Sequence, residues 1–186
     1  MQKPYFFILT IILVPYLAGC ASKTNIQSQK IETVEEISTA DDSTPSANCP
    51  LTTVNENLSF EPPAPYPADG PFAGESWFGS EHLWTALPDN GVWSDLPHNP
   101  DGYTQKIFWW SSLFSLKDEP EPTLVVFGER LDAKAPPLKV SKATNAFAED
   151  IGSAMLVGVD FPAAGCWEIT GQYKKSGLSF VIWVAP

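Results

Sequence analysis

The hydrophobic pattern divides the chain into three parts. An apolar run covers residues 5–16, a polar segment covers residues 21–48, and from residue 49 onward short apolar stretches alternate with proline- and glycine-rich connections. The polar segment has few large apolar side chains, so it cannot bury enough surface to offset the entropy cost of ordering it. We therefore expect a flexible, disordered linker over residues 20–48 and a single folded domain over residues 49–186.

The third part has the pattern of an all-β protein. Its apolar stretches are rich in β-branched and aromatic residues and are bounded by glycine, proline or acidic residues. They cover residues 81–87, 105–110, 122–130, 155–161, 166–173 and 178–184, with a short extended piece at Val92–Trp93. No segment has the periodicity of a long amphipathic helix, and only the connection over residues 132–150 is expected to hold one helical turn. The predicted fold is an immunoglobulin-like β-sandwich.

The clearest hairpin joins residues 166–173 to residues 178–184 through Lys174-Lys175-Ser176-Gly177. In its first strand the large apolar residues share one parity, and Cys166 has the other parity. Strict alternation therefore puts Trp167 in the core and Cys166 on the outer face of the sheet. This departs from the immunoglobulin pattern, in which a disulfide joins the two sheets through the core.

Three cysteines occur, at positions 20, 49 and 166. If Cys20 carries a lipid, Cys49 and Cys166 are the only pair left in an exported chain. A metal site or a catalytic thiol is the alternative, but neither cysteine has a histidine or a second cysteine within a few residues. We expect a Cys49–Cys166 disulfide that pins the start of the domain across the outside of the sheet.

The N-terminus is typical of an export signal. Lys3 precedes the apolar run, which is too short to span a bilayer comfortably. Leu17-Ala18-Gly19-Cys20 resembles the lipobox of bacterial lipoproteins. This resemblance implies that residues 1–19 are a signal peptide, that Cys20 is lipidated, and that the protein is held outside the cytoplasm on the cell membrane or the outer membrane. An ordinary secretory signal or an N-terminal membrane helix is the alternative.

The charge excludes some partners. The chain has 22 acidic and 11 basic residues, a formal net charge of −11. Binding to nucleic acid or to anionic lipid head groups requires a basic surface, so we expect neither as a partner. The simplest interpretation of the negative charge is that it keeps the protein soluble at a crowded cell surface.

The sequence contains no motif that fixes a reaction. Its only histidines are His82 and His98, and neither belongs to an H-E-x-x-H motif or a close pair. We expect His82 inside a strand, either buried or at the rim of the domain. No G-x-S-x-G elbow is present. We therefore assign no catalytic residue, metal or cofactor, and a hydrolase acting on envelope glycan or peptide is kept as the alternative function.

The aromatic content is the unusual chemical feature, because seven tryptophans is a high number for this length. Four of them are candidate ligand contacts: Trp77, Trp84, Trp109 and Trp110. Exposed aromatic rings stack on sugars and favour protein interfaces. The alternative, which we favour, is core packing. Adjacent Trp109 and Trp110 point to opposite faces of a regular strand, so one of them lies outside the main core, where the proline-rich segment 61–74 is expected to cover it.

Two stretches resemble a group of uncharacterised bacterial lipoproteins. They are residues 79–92 (GSEHLWTALPDNGV), together with the FWW run at 108–110, and residues 165–184 (GCWEITGQYKKSGLSFVIWV). The group carries a G-C-W-E-[IV]-T-G motif and has no assigned reaction. The resemblance implies fold and location but transfers no catalytic residue. We expect a binding or structural component of the envelope, with a glycan or a protein as ligand.

Overall fold

The structure is a computed structural model that describes residues 44–54, 60–64, 66–68, 70–149 and 151–186. These residues all belong to one compact unit. The predicted signal peptide, Cys20 and the predicted linker up to residue 43 lie outside the described residues. In the described residues the domain is all-β, as the sequence pattern predicts.

Eleven strands occur in the described part of the chain. They are β1 (Glu75–Ser80), β2 (Leu83–Pro88), β3 (Val92–Trp93), β4 (His98–Asn99), β5 (Gly102–Trp110), β6 (Val125–Arg130), β7 (Lys139–Val140), β8 (Thr144–Ala148), β9 (Gly152–Phe161), β10 (Gly165–Tyr173) and β11 (Ser176–Val184).

The strands form two sheets, and the predicted β-sandwich is confirmed. Sheet A runs β1-β2-β5-β9, with β7 and β8 both paired to the far edge of β9 and β4 paired to β5. Sheet B runs β3-β11-β10-β6. All pairs are antiparallel except β3 with β11.

The main core fills the space between the two sheets. Sheet A contributes alternate residues of β5 and β9, among them Ile107, Trp109 and Val157, and sheet B contributes Trp167 and Ile182. All of these side chains are buried. Burial of large apolar side chains on the facing sides of two sheets is the main source of stability in a sandwich of this size.

Gly171 shows how closely the two sheets pack. A Cβ atom at position 171 would lie 2.5 Å from the ring of Trp109. The glycine in β10 therefore leaves room for the indole of β5, and no larger residue fits without displacing it.

The β10–β11 hairpin matches its prediction closely. Trp167 faces the main core, and Cys166 lies on the opposite, outer face of sheet B. The turn itself is shorter than the four residues expected, because Tyr173 pairs with Ser176 and only Lys174 and Lys175 lie between the strands. Lys174 takes the left-handed conformation, with φ of 53°, that a two-residue hairpin turn requires.

Two regions differ from the sequence prediction. Residues 81–82 form the turn between β1 and β2, so the predicted strand at 81–87 begins at Leu83, and β1 was not anticipated. The connection 132–150 contains β7 and β8 and, among its described residues, no helical turn. The composition of residues 132–150 does not predict these strands. They form because the edge of β9 has unpaired backbone groups with which the segment can hydrogen-bond.

Candidate functional site

The four tryptophans proposed as ligand contacts lie inside the domain. Trp77 is 2% exposed, and Trp84, Trp109 and Trp110 are fully buried. No ligand can reach these rings in this structure, so the ligand-contact interpretation is corrected in favour of packing. The reason is that both faces of β5 are covered around Trp109 and Trp110, one by sheet B and the other by an N-terminal segment that includes Phe60, Tyr66 and Pro67.

That N-terminal segment builds a second core on the outer face of sheet A. Trp77, Trp84 and Trp110 pack there beneath Phe60 and Tyr66. The Trp77 and Trp110 rings meet edge to face with centroids 5.0 Å apart. The indole N–H of Trp77 donates to the Pro67 carbonyl oxygen at 2.9 Å, and that of Trp110 donates to the Ile151 carbonyl oxygen at 2.9 Å. The proline-rich segment therefore covers Trp110, as was predicted from the opposite orientations of Trp109 and Trp110 in the strand.

The predicted disulfide is present. Cys49 and Cys166 are bonded, with their Cα atoms 5.7 Å apart, and Cys166 is fully buried on the outer face of sheet B. Just after Cys49, the Thr52 amide donates to the Val181 carbonyl oxygen, and the Thr52 hydroxyl accepts from the Val181 amide, both at 2.9 Å. The bond thus fixes the start of the domain along β11, outside the main core.

The two histidines do not assemble a hydrolytic site in the described residues. His82 is exposed in the β1–β2 turn, which corrects the expectation of a buried or rim strand position. His98 is exposed in β4, with its ring centroid 4.7 Å from that of Tyr103. No hydrogen bond or ion pair joins either ring to a described carboxylate, and no three metal-binding side chains of the described residues converge.

A second polar feature lies at the end of β10. The Tyr173 hydroxyl donates to Glu119 Oε2 at 2.6 Å, and Thr123 donates its amide and hydroxyl to Glu119 Oε1. Burial alone would raise the pKa of Glu119, but these hydrogen bonds and the Lys174 charge outweigh it and hold the pKa below its ordinary value. Burial and the hydrogen bond to Glu119 raise the pKa of Tyr173. This cluster ties the 111–124 connection to sheet B.

The most promising surface is the half of sheet A's outer face that the N-terminal segment leaves open. Three rows of outward side chains cross β5, β9 and the β7–β8 edge there. We call this surface the sheet A groove; its rows are Phe108–Leu156–Thr144, Lys106–Gly158–Ser141 and Thr104–Asp160–Lys139. An open depression of about 330 Å³ is lined by Thr104, Lys139, Val140, Ser141, Gly158 and Asp160.

Gly158 forms the floor of the groove. Its neighbours Val157 and Val159 face the main core, so position 158 faces outward. A Cβ atom there would meet only Ser141, at 3.5 Å or more, which is ordinary contact. Neither backbone conformation nor packing requires glycine at this position. A strand glycine without such a reason marks a place where another molecule can approach the backbone closely.

The polar side chains around Gly158 are held in place by hydrogen bonds. The Thr104 hydroxyl donates to Asp160 Oδ1 at 2.7 Å and accepts from the side-chain Nδ2 of Asn99 at 2.6 Å. Ser141 Oγ accepts from the Gly158 amide at 2.8 Å, and Lys139 pairs with Asp101. The groove therefore presents hydroxyl, carboxylate and ammonium groups in fixed positions.

The comparisons with known proteins found no match. No family model, curated protein or solved structure matches the chain. Within the described residues, no helix has the length and apolar character needed to cross a membrane. The resemblance to bacterial lipoproteins with a G-C-W-E-[IV]-T-G motif thus stays a prediction.

Proposed function

We propose that this protein is a lipid-anchored, extracytoplasmic binding protein whose β-sandwich recognises a glycan in the sheet A groove. The lipobox-like sequence ending at Cys20 supports the anchor. A disulfide between Cys49 and Cys166 fits an oxidising compartment outside the cytoplasm. A domain at the end of a linker of more than twenty residues would reach molecules of the surrounding envelope.

The observation that carries the proposal is the glycine floor. One half of the outer face of sheet A is closed by Phe60, Tyr66 and Pro67, while the other half stays open and has no side chain at Gly158. A purely structural sandwich gains stability by filling such a position with a β-branched residue. The open depression is therefore best explained by an occupant.

The chemistry of the groove favours a glycan. Thr104, Asp160 and Lys106 supply donors and acceptors spaced along two strands, which suits ring hydroxyl groups. Half-buried Phe108 and Leu156 provide an apolar surface at one end, and apolar surface packs against the C–H face of a sugar ring. The depression is open to solvent and lined mainly by polar residues, so it suits a hydrophilic chain better than a compact hydrophobic ligand.

The test is a binding screen with matched glycine variants. The lipidated chain in detergent micelles is titrated with soluble fragments of envelope glycan. Gly158→Leu fills the floor and should weaken binding by about tenfold or more, or about 1.4 kcal/mol. Gly177→Leu is the control, because a Cβ at that strand glycine also enters open space but on sheet B. Equal affinities of both variants and the unaltered chain would refute the groove as the binding site.

A protein ligand is the second candidate, and β6 is the observation that favours it. β6 is an edge strand of sheet B, and its outward residues Val125 and Phe127 are 58% and 47% exposed. The Leu138 amide donates to the Gly128 carbonyl oxygen of this edge at 3.5 Å, and the exposed apolar side chains of β6 favour contact with another chain. A hydrolase is less well supported, because His82 and His98 meet no described carboxylate.

A further inference from the structure

A separate cavity opens where β2 and β5 part. The two strands pair only at Trp84–Trp110 and Thr85–Trp109. Beyond Ala86 on one strand and Phe108 on the other they diverge, and the gap holds a cavity of about 220 Å³. We call it the β2–β5 cleft. The residues that line it include Phe72, Glu75, Ala86, Trp93, Lys106 and Phe108.

The cleft opens on the outer face of sheet A. Glu75 has the same parity as Trp77 in β1, and Trp77 belongs to the outer core. Phe108 packs against that core as well, and Phe72 approaches it with ring centroids 5.7 Å apart. Buried Trp93 lies at the floor, where the parting of the strands exposes the edge of the main core. The two phenyl rings therefore form one wall, and Glu75 lines the same cleft.

An added β-strand is excluded as the occupant, because side chains already satisfy main-chain groups of β5 along the gap. The Lys106 amide donates to Gln105 Oε1 at 2.9 Å, and the Thr85 hydroxyl donates to the Phe108 carbonyl oxygen at 2.8 Å. A peptide could pair there only by breaking these bonds. The volume is also below the 300–1,000 Å³ that is typical of drug-sized ligands. The occupant must be compact.

Two opposite charges line the cleft without a partner. Neither the Glu75 carboxylate nor the Lys106 ammonium has a hydrogen bond or an ion pair with any other described side chain. Burial, followed by the nearby charge of Asp89, raises the pKa of Glu75. A cation in the cleft would offset the cost of the half-buried Glu75 carboxylate. The exposed Lys106 ammonium would attract an anion at the rim of the cleft.

We propose that the β2–β5 cleft binds a compact zwitterion, with its ammonium group between Glu75 and the Phe72–Phe108 wall and its oxyanion on Lys106. An ammonium group beside aromatic rings gains cation–π attraction in addition to the ion pair. Two ligand sources share this chemistry, namely amino acids and phosphate esters of amino alcohols. The cleft shares Lys106 and Phe108 with the rows of the sheet A groove, whereas Glu75 and Phe72 belong to the cleft alone. Glu75→Gln therefore tests zwitterion binding separately from glycan binding.

The experiment titrates the lipidated chain in detergent micelles at neutral pH with chosen probes. Alanine and phosphoethanolamine represent the two sources, and ethylammonium and acetate each carry only one of the charges. We expect at least one zwitterion to bind with a Kd below about 10 mM, and each singly charged probe to bind about tenfold more weakly or not at all. The zwitterion that binds more tightly identifies the source.

Matched variants locate the binding. Glu75→Gln and Lys106→Met should each weaken zwitterion binding by about tenfold or more. Glu129→Gln and Lys175→Met, at exposed positions of sheet B, should leave it unchanged. The proposal is overturned if no zwitterion binds, if a singly charged probe binds equally well, or if the cleft variants bind like the controls. Glycan binding is measured separately, with Gly158→Leu and its control Gly177→Leu. A failure of zwitterion binding can therefore be distinguished from a failure of glycan binding.

Discussion

Trp109 and Trp110 are neighbours in sequence but belong to different cores. Trp109 packs between the sheets, and Trp110 packs under the N-terminal segment on the outer face of sheet A. One strand thus anchors both layers of the domain. The outer core matters for function because it closes half of that face and leaves the other half as the sheet A groove.

Both rings should contribute strongly to stability. Trp109→Ala and Trp110→Ala each remove a fully buried indole, so each should lower the free energy of unfolding by about 3–5 kcal/mol. Urea unfolding followed by fluorescence measures the change. Phe147→Ala is the control, since Phe147 is 65% exposed and its removal should cost little. A near-neutral Trp110→Ala would mean that the outer core is not formed in solution.

The disulfide should stabilise the domain through its long loop. Cys49 and Cys166 are 117 residues apart, and closure of such a loop stabilises by about 4–5 kcal/mol in the chain-entropy model. A reducing agent should therefore lower the unfolding midpoint of the natural chain. The same agent should not affect the Cys49→Ala/Cys166→Ala double variant. Two free thiols in the exported protein, detected by mass spectrometry, would contradict the bond.

The bond between Tyr173 and Glu119 should make stability depend on pH. Tyr173→Phe removes a buried donor to a carboxylate and should cost about 1–3 kcal/mol at neutral pH. The pKa of Glu119 in the folded protein lies below its ordinary value of 4.5, so its ionised form contributes stability above that value. This contribution is lost as the pH falls through the lowered pKa.

Thermal unfolding across the acid range checks this prediction. The difference between the natural chain and Tyr173→Phe should be full at neutral pH and should narrow below about pH 4. Tyr103→Phe is a matched control, because no described residue hydrogen-bonds the Tyr103 hydroxyl through a side chain. A difference that stays constant with pH would exclude the ionised carboxylate as the partner.

Lipidation should depend on Cys20 alone. Cys20→Ala should abolish incorporation of a labelled fatty acid and leave the signal unprocessed at this site, because lipid attachment precedes cleavage in bacterial lipoproteins. The Cys49→Ala/Cys166→Ala variant should still be labelled. Normal labelling of Cys20→Ala would refute the proposed anchor.

Several features were predictable because they follow from local periodicity. The parity of Trp167 and Cys166 correctly placed one in the core and the other outside it, and the parity of Trp109 and Trp110 required a cover. These inferences needed only the two-residue period of a strand. The pairing of two isolated cysteines in the chain followed from elimination.

Other features depend on tertiary pairing and were missed. Glu75–Ser80 has serine and glycine among its six residues and gives a weak strand signal, yet it pairs along its full length with β2. β7 and β8 are strands because β9 has a free edge, which the sequence of residues 132–150 does not reveal. The sheet A groove was missed too, although a glycine inside the apolar run MLVGVDF was a usable signal.

The most direct test of the central claim is residue-resolved mapping of amide chemical shifts while the protein is titrated with soluble envelope glycan fragments. Glycan recognition in the sheet A groove predicts saturable shifts that cluster on residues 104–108, 139–141 and 156–160. The outer face of sheet B should stay unperturbed. Shifts confined to β6 and its neighbours on sheet B, or no saturable shift with any fragment, would contradict the account.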